Sequence, residues 1–103
     1  MKVLKPGLRL KSAVCATEVM IIRGLPAEAQ LECGGREMLA VTEQVPADAR
    51  PDPALAQGSL IGKRYVDAEE RYELLCTKGG EGSLVLNGSP LGVKQAKALP
   101  SSD

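Results

Sequence analysis

Histidine is absent from this 103-residue chain, and so are phenylalanine and tryptophan. The first absence removes the commonest general acid–base and the commonest metal ligand together, so neither a Ser-His-Asp nor a Cys-His arrangement can be assembled within the chain. The second leaves Tyr65 and Tyr72 as the only aromatic side chains. Single-stranded nucleic acid is held by several stacking platforms along a basic groove. Here thirteen basic side chains balance thirteen acidic ones. Residues 1–36 have a local basic excess and residues 37–58 an acidic one, a mild asymmetry of solvated faces and not a basic stripe. No nucleic-acid partner is expected. No run approaches the roughly 20 apolar residues of a membrane span, so no membrane partner is expected either. Met1-Lys2-Val3-Leu4-Lys5-Pro6 lacks the apolar core of a secretion signal. Cysteine is sparse and odd in number, at positions 15, 33 and 76, which argues against a disulfide framework. The expectation is a cytoplasmic protein with reduced thiols.

A chain of this length forms one domain or two very small ones and buries about 65% of its unfolded surface. With so few aromatics, the core must come from Leu, Val, Ile, Ala and Met. Their pattern is that of strands. Leu8 and Leu10 alternate with Arg9 and Lys11, which suits a half-buried strand. Residues 18–23, with β-branched Val19, Ile21 and Ile22, read as a strand apolar on both faces and therefore central. After Gly24, Pro26 is placed to start a single helical turn through Ala29. Residues 30–33 alternate again, with Leu31 and Cys33 on one face. Gly34-Gly35 then turns the chain toward Met38–Val41, and the strand at 18–23 is the expected neighbour of the one ending at Cys33.

Residues 44–58 lose the apolar pattern and carry Pro46, Pro51 and Pro53, as a linker or semi-rigid surface loop does. Strand patterns resume with residues 60–66, then Tyr72, Leu74 and Cys76 on one face, then residues 83–86. Gly79-Gly80-Glu81-Gly82 lacks the lysine and hydroxyl residue of a phosphate loop and reads as a hairpin turn. Asp67, Glu69 and Glu70 lack the spacing of a calcium loop and read as a solvated turn. Asn87-Gly88 is the clearest hairpin signal in the chain. Residues 94–99 are as compatible with a short helix as with an edge strand, and 100–103 should fray. The expected fold is all-β, a small two-lobed antiparallel protein of about seven short strands. Its parts are an N-terminal knuckle lobe over 1–43, the proline-rich segment 44–58, and a C-terminal antiparallel lobe over 59–103 with a frayed tail.

The stretches Cys15-Ala16-Thr17-Glu18 and Leu31-Glu32-Cys33-Gly34-Gly35-Arg36-Glu37-Met38 have the form of a strand, a cysteine and a tight turn. Residues 13–38 thereby resemble a desulforedoxin-like module of the wider rubredoxin-like group. That family carries a Cys-x-x-Cys knuckle and, after a second strand, a Cys-Cys-Gly turn. Cys15 and Cys33 match ligand positions, whereas Glu18 and Gly34 stand where the family has cysteine, so half of the ligand set is missing. The resemblance implies zinc held structurally or iron for electron transfer on Cys15 and Cys33; Glu18 as an oxygen ligand and Cys76 from the second half of the chain would complete a set of three thiolates and one carboxylate. The plainer reading takes the thiols as small buried hydrophobes with no cofactor. A reactive thiol needs a base or cation beside it, and Arg36 near Cys33 and Lys78 near Cys76 are the candidates.

The functional expectation is a small non-enzymatic accessory or protein-interaction domain, acting through a protein partner or as a homodimer. The alternatives are a cysteine-ligated metalloprotein and, third, a small subunit of a larger enzyme.

Overall fold

The computed structural model of the chain describes residues 1–94; the expectations for a frayed tail beyond Lys94 lie outside the described residues. The chain is all-β. Its strands are β1 (Lys2–Val3), β2 (Arg9–Lys11), β3 (Glu18–Arg23), β4 (Glu28–Ala29), β5 (Leu31–Cys33), β6 (Arg36–Glu37), β7 (Leu39–Ala40), β8 (Arg64–Val66), β9 (Glu73–Lys78), β10 (Leu84–Leu86), β11 (Ser89–Pro90) and β12 (Gly92–Val93), with one 3-10 turn at Pro53–Leu55. Every named pairing is antiparallel. No helix among the described residues is long and apolar enough to cross a membrane.

β3 is central, as its apolar run requires. It lies between β9 and β2 in a six-stranded sheet of order β12-β8-β9-β3-β2-β7. Val19 and Ile21 face the core with no exposed surface. Because β2 and β9 occupy both edges of β3, β5 cannot pair with it. β5 lies instead in a four-stranded sheet of order β11-β10-β5-β6, with Cys33 opposite Leu84. The helical turn expected after Pro26 is replaced by β4, which pairs with β1. One hydrophobic cluster takes side chains from all three sheets, among them Ala29, Leu10, Ile21, Leu31, Leu74 and Leu86.

That shared core corrects the division into two lobes. β3 of the first half pairs with β9 of the second, and β5 of the first half pairs with β10 of the second. Short strands bury too little apolar surface alone, so both halves contribute to both larger sheets. The proline-rich segment does not behave as one linker either. Asp52 N donates to Gly34 O at 2.9 Å, and Ser83 N donates to Leu55 O at 2.8 Å. Residues 51–58 are thus stitched to the body, while residues 42–50 are exposed almost throughout. Gly79–Gly82 is a crossover from β9 in one sheet to β10 in the other, not a hairpin turn.

Asn87 and Gly88 form the expected two-residue hairpin, pairing Leu86 with Ser89, and both have positive φ, 49° and 83°. That is the left-handed pair a tight β-hairpin demands. Among the described residues Glu73 is the charged exception in the interior. It receives Lys94 Nζ at 2.9 Å and Arg64 Nη1 at 3.3 Å, and the Lys94 bond holds its carboxyl below the usual range.

Gly88→Val should destabilise the fold by about 1 kcal/mol or more, since a β-branched residue resists positive φ. A Cβ there would touch nothing within 4 Å, so the cost measured by chemical denaturation reports backbone strain alone. Limited proteolysis should cut first within residues 42–50, where the chain is exposed; first cleavage inside 60–93 would refute this assignment of the weakest segment.

Candidate functional site

The loop of residues 12–17 joins β2 to β3, and its shape follows from one serine. Ser12 N donates to Thr17 O at 2.8 Å and closes the loop. Ser12 Oγ accepts from Val14 N at 3.0 Å and from Cys15 N at 3.1 Å, the local side-chain-to-backbone bonding that serine favours in turns. Ala13 and Val14 point into the protein. Cys15 is left half-buried, with its sulfur 3.3 Å from Ser12 Oγ and 3.2 Å from Thr17 Oγ1.

Two further elements close on this sulfur. Cys33, at the end of β5 and with no exposed surface, places its Sγ 3.8 Å from Cys15 Sγ. The crossover loop supplies Gly82 N, which donates to Cys15 Sγ at 3.3 Å. Ser59 anchors that loop, since its backbone exchanges hydrogen bonds with Gly80 at 2.9 and 3.1 Å and its hydroxyl donates to Gly82 O. The approach is close enough to require glycine. A Cβ at Gly80 would lie 2.4 Å from Thr17 Oγ1 and 2.6 Å from Thr17 N, and one at Gly82 would lie 2.7 Å from Cys33 Sγ.

These surroundings divide the thiols. Burial pushes the Cys15 thiol up, but hydrogen bonds from the Ser12 and Thr17 side chains and from the Thr17 and Gly82 backbone outweigh it, lowering the pKa to about 7. At Cys33, burial and then repulsion from Cys15 push the thiol up to about 11. Burial also raises Cys76, partly offset by its hydrogen bond to the Lys78 backbone. At neutral pH Cys15 is therefore about half thiolate, while Cys33 beside it is the thiol.

Of the residues expected as ligands, the structure brings Cys15 and Cys33 together. Cys76 lies opposite Val19 on β9, and its thiol donates to Lys78 O at 3.1 Å. The Glu18 carboxylate is engaged by Lys78 Nζ at 3.3 Å. Among the described residues no group of three or more His, Cys, Asp or Glu side chains is placed to hold a metal ion. The cations expected to activate a thiol are also placed differently. Lys78 pairs with Glu18 and Arg36 is exposed; hydroxyl and amide donors do the work at Cys15. Sequence reasoning passed over Ser12, Thr17, Ser59 and Gly82. The pattern Ser12-x-x-Cys15-x-Thr17 is a local signal that points to two of them. Nothing local points to Ser59 or Gly82, which reach the site only through the fold.

Alkylation of Cys15 should follow an ionisation near pH 7, and Ser12→Ala should move that midpoint upward by removing a donor to the thiolate; an unchanged midpoint would exclude Ser12 as the cause. The stability linkage has a definite sign. Cys15 titrates near 7 in the folded chain against an ordinary 9.0, so its contribution is full above 9 and is lost as pH falls toward 7. The stability difference between the wild type and Cys15→Ala should therefore grow from pH 7 to pH 9. Comparison of the chain with protein-family models, curated proteins and solved structures gives no match.

Proposed function

We propose that this chain is a small non-enzymatic accessory protein of a reducing, cytoplasmic setting, whose working part is a reversible dithiol–disulfide couple between Cys15 and Cys33. The observation that carries the reading is the 3.8 Å separation of the two sulfurs, joined to their unequal proton affinities. The thiolate is the nucleophile in thiol chemistry, so Cys15 attacks and Cys33 completes the disulfide. Closing the bond brings the sulfurs to about 2.0 Å. Two electrons and two protons leave for an acceptor disulfide, which is reduced to two thiols. Cys76, whose thiol is turned to the Lys78 carbonyl, takes no part.

A protein partner or a second copy of the chain fits the same reading, as the receiver of the redox state. Leu60 and Ile61, in a turn outside the strands, are 60% and 67% exposed, an apolar pair with no cover. Zinc or iron on cysteine is the second reading. Its support is the same sulfur–sulfur distance, which is close to the edge of a tetrahedral site with bonds of about 2.3 Å.

Equilibration of the full chain in mixtures of reduced and oxidised glutathione should give one intramolecular disulfide. Peptide mapping should find Cys15 joined to Cys33 and Cys76 free. A disulfide that includes Cys76, or none at all, would overturn the couple. Elemental analysis of untagged protein checks the second reading, which requires stoichiometric zinc or iron that disappears in Cys15→Ser.

A further inference from the structure

The donors around Cys15 point to the class of oxidant. A serine hydroxyl has two acceptor sites and one proton to give. Ser12 Oγ already accepts from the Val14 and Cys15 amides, so its proton is directed to Cys15 Sγ. Thr17, with no exposed surface, brings a second hydroxyl to 3.2 Å. Gly82 N adds a third donor at 3.3 Å. The Ser12 hydroxyl is held by two backbone amides and Gly82 N is itself backbone, and hydrogen bonds held ready in advance stabilise charge that develops during a reaction. Three donors around one sulfur remain in place to bond an oxygen atom added to it, or an oxygen leaving from it.

Access favours a small reagent. Cys15 is half-buried and Cys33 has no exposed surface. The crossover loop covers the pair so closely that a single methyl group on Gly82 would meet Cys33 Sγ at 2.7 Å. A protein disulfide must bring a sulfur and its bulky substituents in line with Cys15. A hydroperoxide needs room for two oxygen atoms.

Building on the dithiol–disulfide reading, we propose that Cys15 is a site of oxidation by hydroperoxides, hydrogen peroxide or a small organic peroxide, with Cys33 as the resolving thiol. The Cys15 sulfur attacks one peroxide oxygen. The S–O bond forms and the O–O bond breaks, and the departing oxygen takes up a proton as water or alcohol. Cys15 is now a sulfenic acid, oxidised by two electrons, and the peroxide is reduced by the same two. The Cys33 sulfur then attacks the Cys15 sulfur. An S–S bond forms, the S–O bond breaks, and the hydroxyl leaves with the Cys33 proton as water. The sum is dithiol plus hydroperoxide giving disulfide, alcohol or water, and one further water. The order of events follows from the charges: the Cys15 thiolate helps to keep Cys33 protonated, and oxidation of Cys15 removes that charge.

The test uses the reduced full chain at pH 7 with hydrogen peroxide, sampled by quench and intact mass. Greater ionisation of Cys15, offset by the lower nucleophilicity of a more acidic thiol, accounts for only about a threefold gain over free cysteine. The site should give at least about a tenfold gain, and the product should be the Cys15–Cys33 disulfide with Cys76 free. Cys33→Ala, treated with peroxide and dimedone, should carry the dimedone adduct on Cys15; if that variant does not fold, the wild-type rate still decides. A rate less than tenfold above free cysteine, while oxidised glutathione forms the same disulfide, overturns the peroxide proposal and leaves the couple standing. Failure of both oxidants to form the Cys15–Cys33 bond overturns both.

Discussion

The pairing of β3 with β9 is the constraint on which the rest of the structure depends. It joins segments far apart in the chain, with Val19 opposite Cys76 and Glu18 opposite Lys78. The apolar run of β3 is stable only with both edges covered, and β2 and β9 cover them. Once Lys78 is fixed opposite Glu18, the chain leaving β9 must pass beside the residues that lead into β3. Gly79–Gly82 therefore runs across the loop of residues 12–17, and glycine is needed where the two backbones come within a side chain's width. The thiol cluster is a consequence of that crossing.

Three free cysteines with one intrinsic chemistry end with proton affinities shifted in two opposite directions. Burial raises a thiol, because the thiolate loses its hydration, while donors aimed at the sulfur lower it. Cys33 and Cys76 show the first effect as the net result, and Cys15 shows the second. The donors at Cys15 are neutral hydroxyls and amides, so the site works without a local positive field. Its ionisation depends on loop geometry more than on ionic strength, since salt screens charges better than it disturbs short hydrogen bonds held by backbone.

The turn after Cys33 links this site to the proline-rich segment. Gly34 N donates to Ser83 O at 3.1 Å, and Gly34 O accepts from Asp52 N. A Cβ on Gly34 would press on Val14 at 2.6 Å and on Pro51 at 3.2 Å. The segment from Pro51 to Leu55 is thereby packed against the turn that follows Cys33. Prolines with the spacing of a linker act here as stiff surface chain pinned at several points.

Much of the fold is written locally. Alternation of apolar residues places β2, β3, β5 and the start of β9 within a residue or two of where they lie, because one strand face must be buried whatever its neighbours are. Asn87-Gly88 specifies its turn through the φ values that those residues alone accept readily. The absence of histidine by itself limits the chemistry to thiols, carboxylates, amines and hydroxyls. Partner strands are another matter. A strand pattern states that a segment pairs, not with which segment, and so a boundary drawn at the proline-rich stretch separates two halves that the sheets interleave. The cysteine site divides in the same way. Ser12, Cys15 and Thr17 are near neighbours, and their bonding is a property of the local loop. Cys33, Ser59 and Gly82 join them only because β3 pairs with β9 and β5 with β10, contacts decided by which strand edges and apolar faces remain free once the whole core has closed.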